Sequence, residues 1–272
     1  MTTALTSTTP ATDPAESSAP ELQVALPAPL LVEVFSDLIC PWCYIGSQRL
    51  TTALIALAAG GGLPGGGAVQ VLWQPFELNP EMPVGGRDRR EYRSAKFGSW
   101  AHSQQLDAHV TAAGAADGLV FRHDLMQRTP NTRAGHRLVW LAQEQGLGQQ
   151  IVHRLFAAYF AEGLDVGGPE VLTGLAAEGG MDATQAREAV TGTGEHGVLA
   201  EAAVAAALQR GRDLQISGVP FYVIGEAYGL SGAQPADTLV QLLNQVNSEL
   251  HPAADTSEGT PTGVCSTNGT CS

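Results

Sequence analysis

Residues 36–46 read Ser-Asp-Leu-Ile-Cys-Pro-Trp-Cys-Tyr-Ile-Gly, and no other stretch narrows the fold as much. The residues leading into it, LLVEVFSDLI (30–39), mix β-branched and apolar side chains as a mostly buried strand does. Beyond Cys40 the period changes: Trp42, Ile45, Leu50, Leu54 and Leu57 approximate a helical stripe that runs out in GGGLPGGG (60–67). AVQVLWQPFEL (68–78) then reads as a second strand, stopped by Pro80 and Pro83. Strand, helix, strand is a βαβ unit. Its CxxC stands where the first strand hands over to the helix.

The rest of the chain fits around that unit. From about Arg87 to Arg210 no strand is expected, and periodic apolar positions punctuated by Gly, Asp-Gly or Pro predict successive helices. They span 87–114, 131–146 (with an Asn-Thr cap), 149–163, 169–180, 184–192 and 198–214. VPFYVIG (219–225) and EAYGLSG (226–232) predict a late hairpin, and ADTLVQLLNQVNSEL (236–250) an amphipathic helix. The expected class is α/β, ordered βαβ, then a helical insertion, then ββα. The boundaries are a tail at 1–29, the first part of the sheet domain at 30–84, the insertion at 85–212, the second part at 213–250, and a C-terminal tail at 251–272.

Charge limits the partners. Lys and Arg total 14 against 27 Asp and Glu, a formal net charge of -13. Such a chain repels phosphate backbones and anionic lipid, so neither nucleic acid nor a membrane is expected as a partner. No apolar run reaches the roughly 18 residues of a membrane span. The N-terminal segment has no basic residue before Arg49 and is broken by prolines, unlike a secretory signal. Its Thr, Ser, Ala and Pro content reads as a disordered tail, and the expected compartment is the cytoplasm.

In a reducing compartment, closely spaced cysteines are more often catalytic or metal-binding than structural. A thiolate is the attacking species, and a free thiol of pKa about 8.5 is mostly protonated at neutral pH. The first turn of a helix favours the anion through its unpaired N–H groups and dipole, and Pro41 suits the first helical position. On this reading Cys40 is an exposed nucleophile and Cys43, one turn on, the resolving thiol. Two other readings of the pair stay open: a zinc site shared with Cys265 and Cys271, and buried thiols without chemistry. The CxxxxxC spacing of the second pair, and its distance along the chain, count against zinc.

With VEVFSDLICPWCYIG (32–46), WQPFELNPEMP (73–83), EYRSAKFG (91–98), NTRAGHRL (131–138), FAAYFAEGLDV (156–166) and SGVPFYVIGEAYGLSGAQP (217–235) in this order, the chain resembles the DsbA family of thiol–disulfide oxidoreductases. Within it the FrnE-like branch is most similar. The resemblance implies a thioredoxin fold interrupted by a helical domain and a redox-active Cys40–Cys43 pair. It also implies a cis Val219–Pro220 bond whose loop offers backbone hydrogen bonds to an extended substrate. No cofactor or metal is implied. The expected activity is protein-disulfide oxidation, reduction and isomerisation through a mixed disulfide on Cys40. The expected partners are cysteine-containing client proteins and glutathione or a thioredoxin-type reductant, with oxidative or metal stress as a setting.

Trp42 stands where periplasmic DsbA has a histidine, which implies a weaker oxidant, and its ring offers a cover and docking surface for the disulfide. The branch is also similar to kappa-class glutathione transferases and hydroxychromene-carboxylate isomerases. A glutathione-dependent transferase or isomerase of small molecules is therefore one alternative, and a thiol metal-binding protein another. Relatives of the first kind carry serine at the position of Cys40. Cys265 and Cys271, with an Asn-Gly turn between them, are read as a clip on the tail, a second redox pair, or metal ligands. Asp37 is a candidate to tune Cys40 or relay a proton, and His136 a candidate to face the site from the helical domain. Arg89, Arg90 and Arg93 read as a solvated helix face.

Overall fold

The computed structural model describes residues 28–252. The N-terminal segment and the Cys265–Cys271 pair lie outside the described residues. β1 (Leu30–Ser36) runs through the middle of a four-stranded sheet ordered β2–β1–β5–β6, whose other members are Val69–Pro75, Phe221–Ile224 and Tyr228–Ser231. β2 lies parallel to β1, from Leu30 opposite Val69 to Ser36 opposite Pro75. A parallel neighbour needs a crossover, and α1 (Pro41–Ala59) supplies it. β5 and β6 add antiparallel strands, with Val34 opposite Tyr222.

A central strand is buried on both faces, which is why LLVEVFS reads as nearly continuous rather than alternating. Val32 and Val34 join the main core with Ile45 and Leu50 of α1 and Leu239 and Leu243 of α9 (Ala236–Leu250). Phe35 points to the other face and packs with Ile216 and Val223.

Between β2 and β5 lie β3 (Arg87–Asp88), α2 (Arg89–Phe97), α3 (Trp100–Ala115), β4 (Arg128–Thr129), α4 (Arg133–Glu144), α5 (Gly148–Phe160), α6 (Pro169–Glu178), α7 (Ala183–Thr191) and α8 (Gly194–Asp213). α8 covers the far face of the sheet. A Cβ at Gly211 would lie 3.3 Å from the Phe35 ring, and Arg210 reaches buried Glu33 at 2.6 Å. The block also docks on α1 through Tyr44, whose ring stacks on Phe156 and Phe160 of α5 at 5.5 Å each.

Three details depart from the sequence reading. The helix expected over 87–114 is two helices. Gly98 closes α2 at φ 84°, and the Ser99 hydroxyl accepts from the His102 amide to start α3. The region expected to be free of strands contains β3 and β4, paired Arg87 to Thr129 and Asp88 to Arg128. Two residues carry no periodicity, so a pattern search passes over them. α8 starts four positions before the expected Val198. Its Gly197 passes so close to α7 that a Cβ there would sit 2.4 Å from the Glu188 carbonyl oxygen. That glycine serves a close helix approach, not a break.

Candidate active site

β1 delivers the chain into a tight turn, in which the Asp37 carbonyl accepts from the Cys40 amide at 2.9 Å. Cys40 is the N-cap of α1, extended at φ −86° and ψ 114°, with Pro41 in the first turn. Its carbonyl accepts from the Cys43 and Tyr44 amides at 3.0 and 3.2 Å, the opening bonds of the helix. A small side chain that caps nothing leaves the first-turn N–H groups without a side-chain acceptor. Cys40 and Cys43 are both free thiols.

The Val219–Pro220 bond is cis, and the Val219 carbonyl lies 3.6 Å from Cys40 Sγ, where it accepts from the thiol. The neighbouring Gly218 and Val219 join Cys40 and Trp42 in the wall of a cavity of about 400 Å³, a volume ordinary for a ligand site. α2 and α3 supply its opposite wall with Tyr92, Lys96 and His109. Trp42 reaches that wall directly, its ring centroid 5.8 Å from that of His109.

Cys40 is only 5% exposed, which corrects the expectation of an exposed nucleophile. Its thiol opens into the cavity, because the α2–α3 hairpin and the Val219 loop stand around the helix N-terminus. Cys43 is 1% exposed, and its pKa is pushed well above the ordinary thiol range. Burial is the main cause, and the Cys40 thiol beside it adds to the effect. The Ser36 hydroxyl and the Asp37 backbone N–H act in the opposite direction. Ser36 Oγ is itself buried with no hydrogen-bond partner among the described residues. It is therefore free to donate to a Cys43 thiolate when one forms.

Neither Asp37 nor His136 lines the Cys40 cavity. Asp37 is fully buried, and its Oδ2 accepts from the Leu78 amide at 2.7 Å. Its Oδ1 stands 3.6 Å from His136 Nε2, which donates to the Phe76 carbonyl at 3.1 Å. The two side chains tie the end of β1 to the segment after β2 and to α4. His136 borders a different cavity, of about 370 Å³, between β2, α4 and α8. The expectation that His136 faces the active site is thus corrected by the direction of α4.

The basic cluster is also corrected. Arg89 is 3% exposed and binds Asp107 Oδ2 at 2.8 Å, while Arg93 binds Asp107 Oδ1 at 2.7 Å. Positions 89 and 93 share one helix face, which turns toward a carboxylate on α3 that needs counter-charge. Arg90 lies on the exposed side.

Several residues at the site were not picked out from sequence. Gly46 passes so near β5 that a Cβ would lie 2.6 Å from the Tyr222 hydroxyl and 3.0 Å from the Pro220 ring. The Tyr222 hydroxyl is buried without a hydrogen-bond partner among the described residues, and burial, with the Cys43 thiol nearby, raises its pKa above the ordinary phenol range. The glycine in CYIG was the available signal, since a helix interior rarely keeps one without a packing reason. Tyr92, Lys96 and His109 carried no such signal. Among the described residues no three His, Cys, Asp or Glu side chains converge as metal ligands, and no described helix is long and apolar enough to cross a membrane.

The chain matches the DSBA-like thioredoxin domain over residues 31–244. A solved structure described as a "probable DsbA oxidoreductase" from Streptomyces coelicolor is 32% identical with a TM-score of 0.71, covering 83% of this chain and 93% of that one. Among curated proteins, the uncharacterized protein YwbO of Bacillus subtilis (strain 168) is 26% identical over 213 residues, 78% of this chain and 95% of YwbO. The cytosolic disulfide reductase DsbM of Pseudomonas aeruginosa shares the fold, with a TM-score of 0.55 at 20% identity over 80% of this chain and 98% of DsbM.

Proposed function

This chain belongs to the DSBA-like thioredoxin domain family, and on that premise we propose that it is a protein thiol–disulfide oxidoreductase with disulfide isomerase activity. The observation that carries the reading is the placement of Cys40. It caps the N-terminus of α1 beside the Val219 carbonyl and faces a cavity large enough for a substrate segment, with Cys43 buried one turn behind it.

The chemistry follows from that arrangement. The Cys40 thiolate attacks one sulfur of a client disulfide, forming the Cys40–client bond as the other client sulfur leaves as a thiolate. Cys43, deprotonated in turn, attacks Cys40 Sγ. The client departs as a second thiolate and a Cys40–Cys43 disulfide remains. Run in reverse, the same steps oxidise a client dithiol. Release of the mixed disulfide to a different client cysteine is isomerisation. The Val219 carbonyl is placed to hold an extended client backbone, and Trp42 offers an apolar face beside the sulfur. Glutathione or a thioredoxin-type protein in the cytoplasm would re-reduce the pair, and Cys265–Cys271 is a second couple suited to passing electrons to it.

A second reading, a glutathione-dependent transferase or isomerase of small molecules, is favoured by the cavity alone, since 400 Å³ suits a small ligand as well as a peptide. One experiment separates the two. Cys43→Ser should trap a disulfide-containing client on Cys40, visible by non-reducing electrophoresis and mass spectrometry, and Cys40→Ser should lose all exchange. Catalysis that survives Cys40→Ser, or an adduct on a different cysteine, would overturn the proposal.

A further inference from the structure

The chain carries a net charge of -13, yet the cavity at Cys40 is cationic. Its walls hold Arg93 and Lys96, and among the described residues its only acidic lining residue is Asp107. That carboxylate is already bound by two guanidinium groups, Arg89 from behind the wall and Arg93 within it. Three cations and one carboxylate leave the surroundings of the cavity with an excess of positive charge, and of the three cations Lys96 is the one that does not bind Asp107. Its Nζ makes no ion pair among the described residues. It donates to Asn79 Oδ1 at 2.8 Å and stands 5.4 Å from the Tyr92 ring. Tyr92 hydrogen-bonds the same Asn79 oxygen. The exposed ammonium is thereby tethered at the cavity with donors to spare.

We infer that this cavity selects cysteines flanked by a carboxylate, with Lys96 as the residue that reads it. The inference rests on Cys40 being the nucleophile and adds the substrate class that Cys40 meets. An overall negative field repels acidic clients at long range. Any preference for them must therefore come from local cations that line the same cavity as the reacting sulfur. A carboxylate beside a client cysteine, or in free glutathione, presents the same chemistry.

The test uses the full-length protein and two peptides with one cysteine each, activated as the pyridyl disulfide and flanked by glutamates in one and lysines in the other. Cys40 attacks the peptide sulfur and pyridinethiolate leaves, because it is the more acidic thiol. Its absorbance reports the second-order rate constant. The Glu-flanked peptide should react about fivefold faster, the upper end of what an exposed ion pair supplies. Lys96→Gln should bring the two rates together, and Lys96→Glu should reverse their order. Arg187→Glu, on α7, makes the same change in net charge far along the chain from the cavity and should leave the ratio where it was.

Equal rates for the two peptides in the unsubstituted protein, with no Lys96-dependent advantage for a glutathionyl pyridyl disulfide, would overturn the inference, as would a ratio that Arg187→Glu shifts as much as Lys96→Glu. Failure of both peptides to label Cys40 in the Cys43→Ser variant, where no resolving thiol releases the peptide, would instead remove the underlying reading, and mass spectrometry reads it. A glutathionyl pyridyl disulfide forms a third arm. A Lys96-dependent advantage confined to it assigns the carboxylate to the free tripeptide, and one shared with the Glu-flanked peptide assigns it to a client chain.

Discussion

Removing one hydroxyl, that of Ser36, should slow the resolving step without touching the first attack. Burial holds the Cys43 pKa well above the ordinary thiol range. Even an unshifted thiol near 8.5 is only about 3% thiolate at pH 7, so Cys43 is almost entirely protonated there. Ser36 is one of the two groups that pull its pKa back down, and its Oγ has no other hydrogen-bond partner among the described residues. A hydrogen bond to a charged group is worth about 1.5 kcal/mol at the low end, close to one pKa unit. Ser36→Ala should then cut the thiolate fraction about tenfold. The more basic thiolate that remains is about threefold more nucleophilic, given a Brønsted slope near 0.4–0.5. The net expectation is resolution slowed by about threefold at pH 7.5. Stopped-flow mixing of the reduced Cys265→Ser/Cys271→Ser protein, whose remaining thiols are Cys40 and Cys43, with excess bis(nitrobenzoate) disulfide reads both steps. One nitrothiobenzoate leaves when Cys40 attacks, in a phase that scales with disulfide concentration. A second leaves when Cys43 attacks, in a phase that does not. The second phase should rise about tenfold per pH unit from about 6.5 to 8.5, as expected for a thiolate fraction below the pKa. A plateau within that window, a second phase unchanged by Ser36→Ala, or a first phase slowed as much as the second would refute the reasoning. Because the lost hydroxyl is buried and unpaired, thermal stability should hold or rise.

Other consequences follow from the same contacts. Cys43 keeps its proton more tightly folded than unfolded, so its contribution to stability is complete below about pH 8.5 and is lost as pH climbs toward the raised folded value. The melting temperature of the reduced protein should fall over that range, and Cys43→Ala should flatten the fall. Asp107→Asn leaves the Arg89 charge buried and unpaired and should cost about 3–5 kcal/mol in denaturant unfolding. Adding Arg89→Met to that variant should recover part of the loss, and no recovery would argue against the ion pair as the cause. Gly46→Ala should cost about 1–3 kcal/mol through overpacking against Tyr222 and Pro220. Tyr222→Phe in the same chain should relieve it, and a purely additive pair would place the strain elsewhere.

Local chemistry made much of this protein legible from its residues. The change of hydrophobic period at Cys40, the prolines after β2 and the late β-rich segment are short-range signals, and the sheet order β2–β1–β5–β6 agrees with them. Cys40 at a helix start is equally local, since strand, proline and apolar stripe all lie within twenty residues of it. What the residues could not announce was direction. Arg89 and Arg93 look like a solvated face until α3 brings Asp107 against them. His136 looks like a visitor to the active site until α4 turns it to another cavity. Gly197 looks like a break until α7 needs the space. Cys40 itself is a helix cap by sequence, but its burial and its cationic surroundings come from a hairpin some fifty residues further on. Strand and helix follow from the pattern of neighbours along the chain, which the sequence carries by itself. Burial, charge pairing and the walls of a cavity depend on which distant segments meet, and only the tertiary structure decides that.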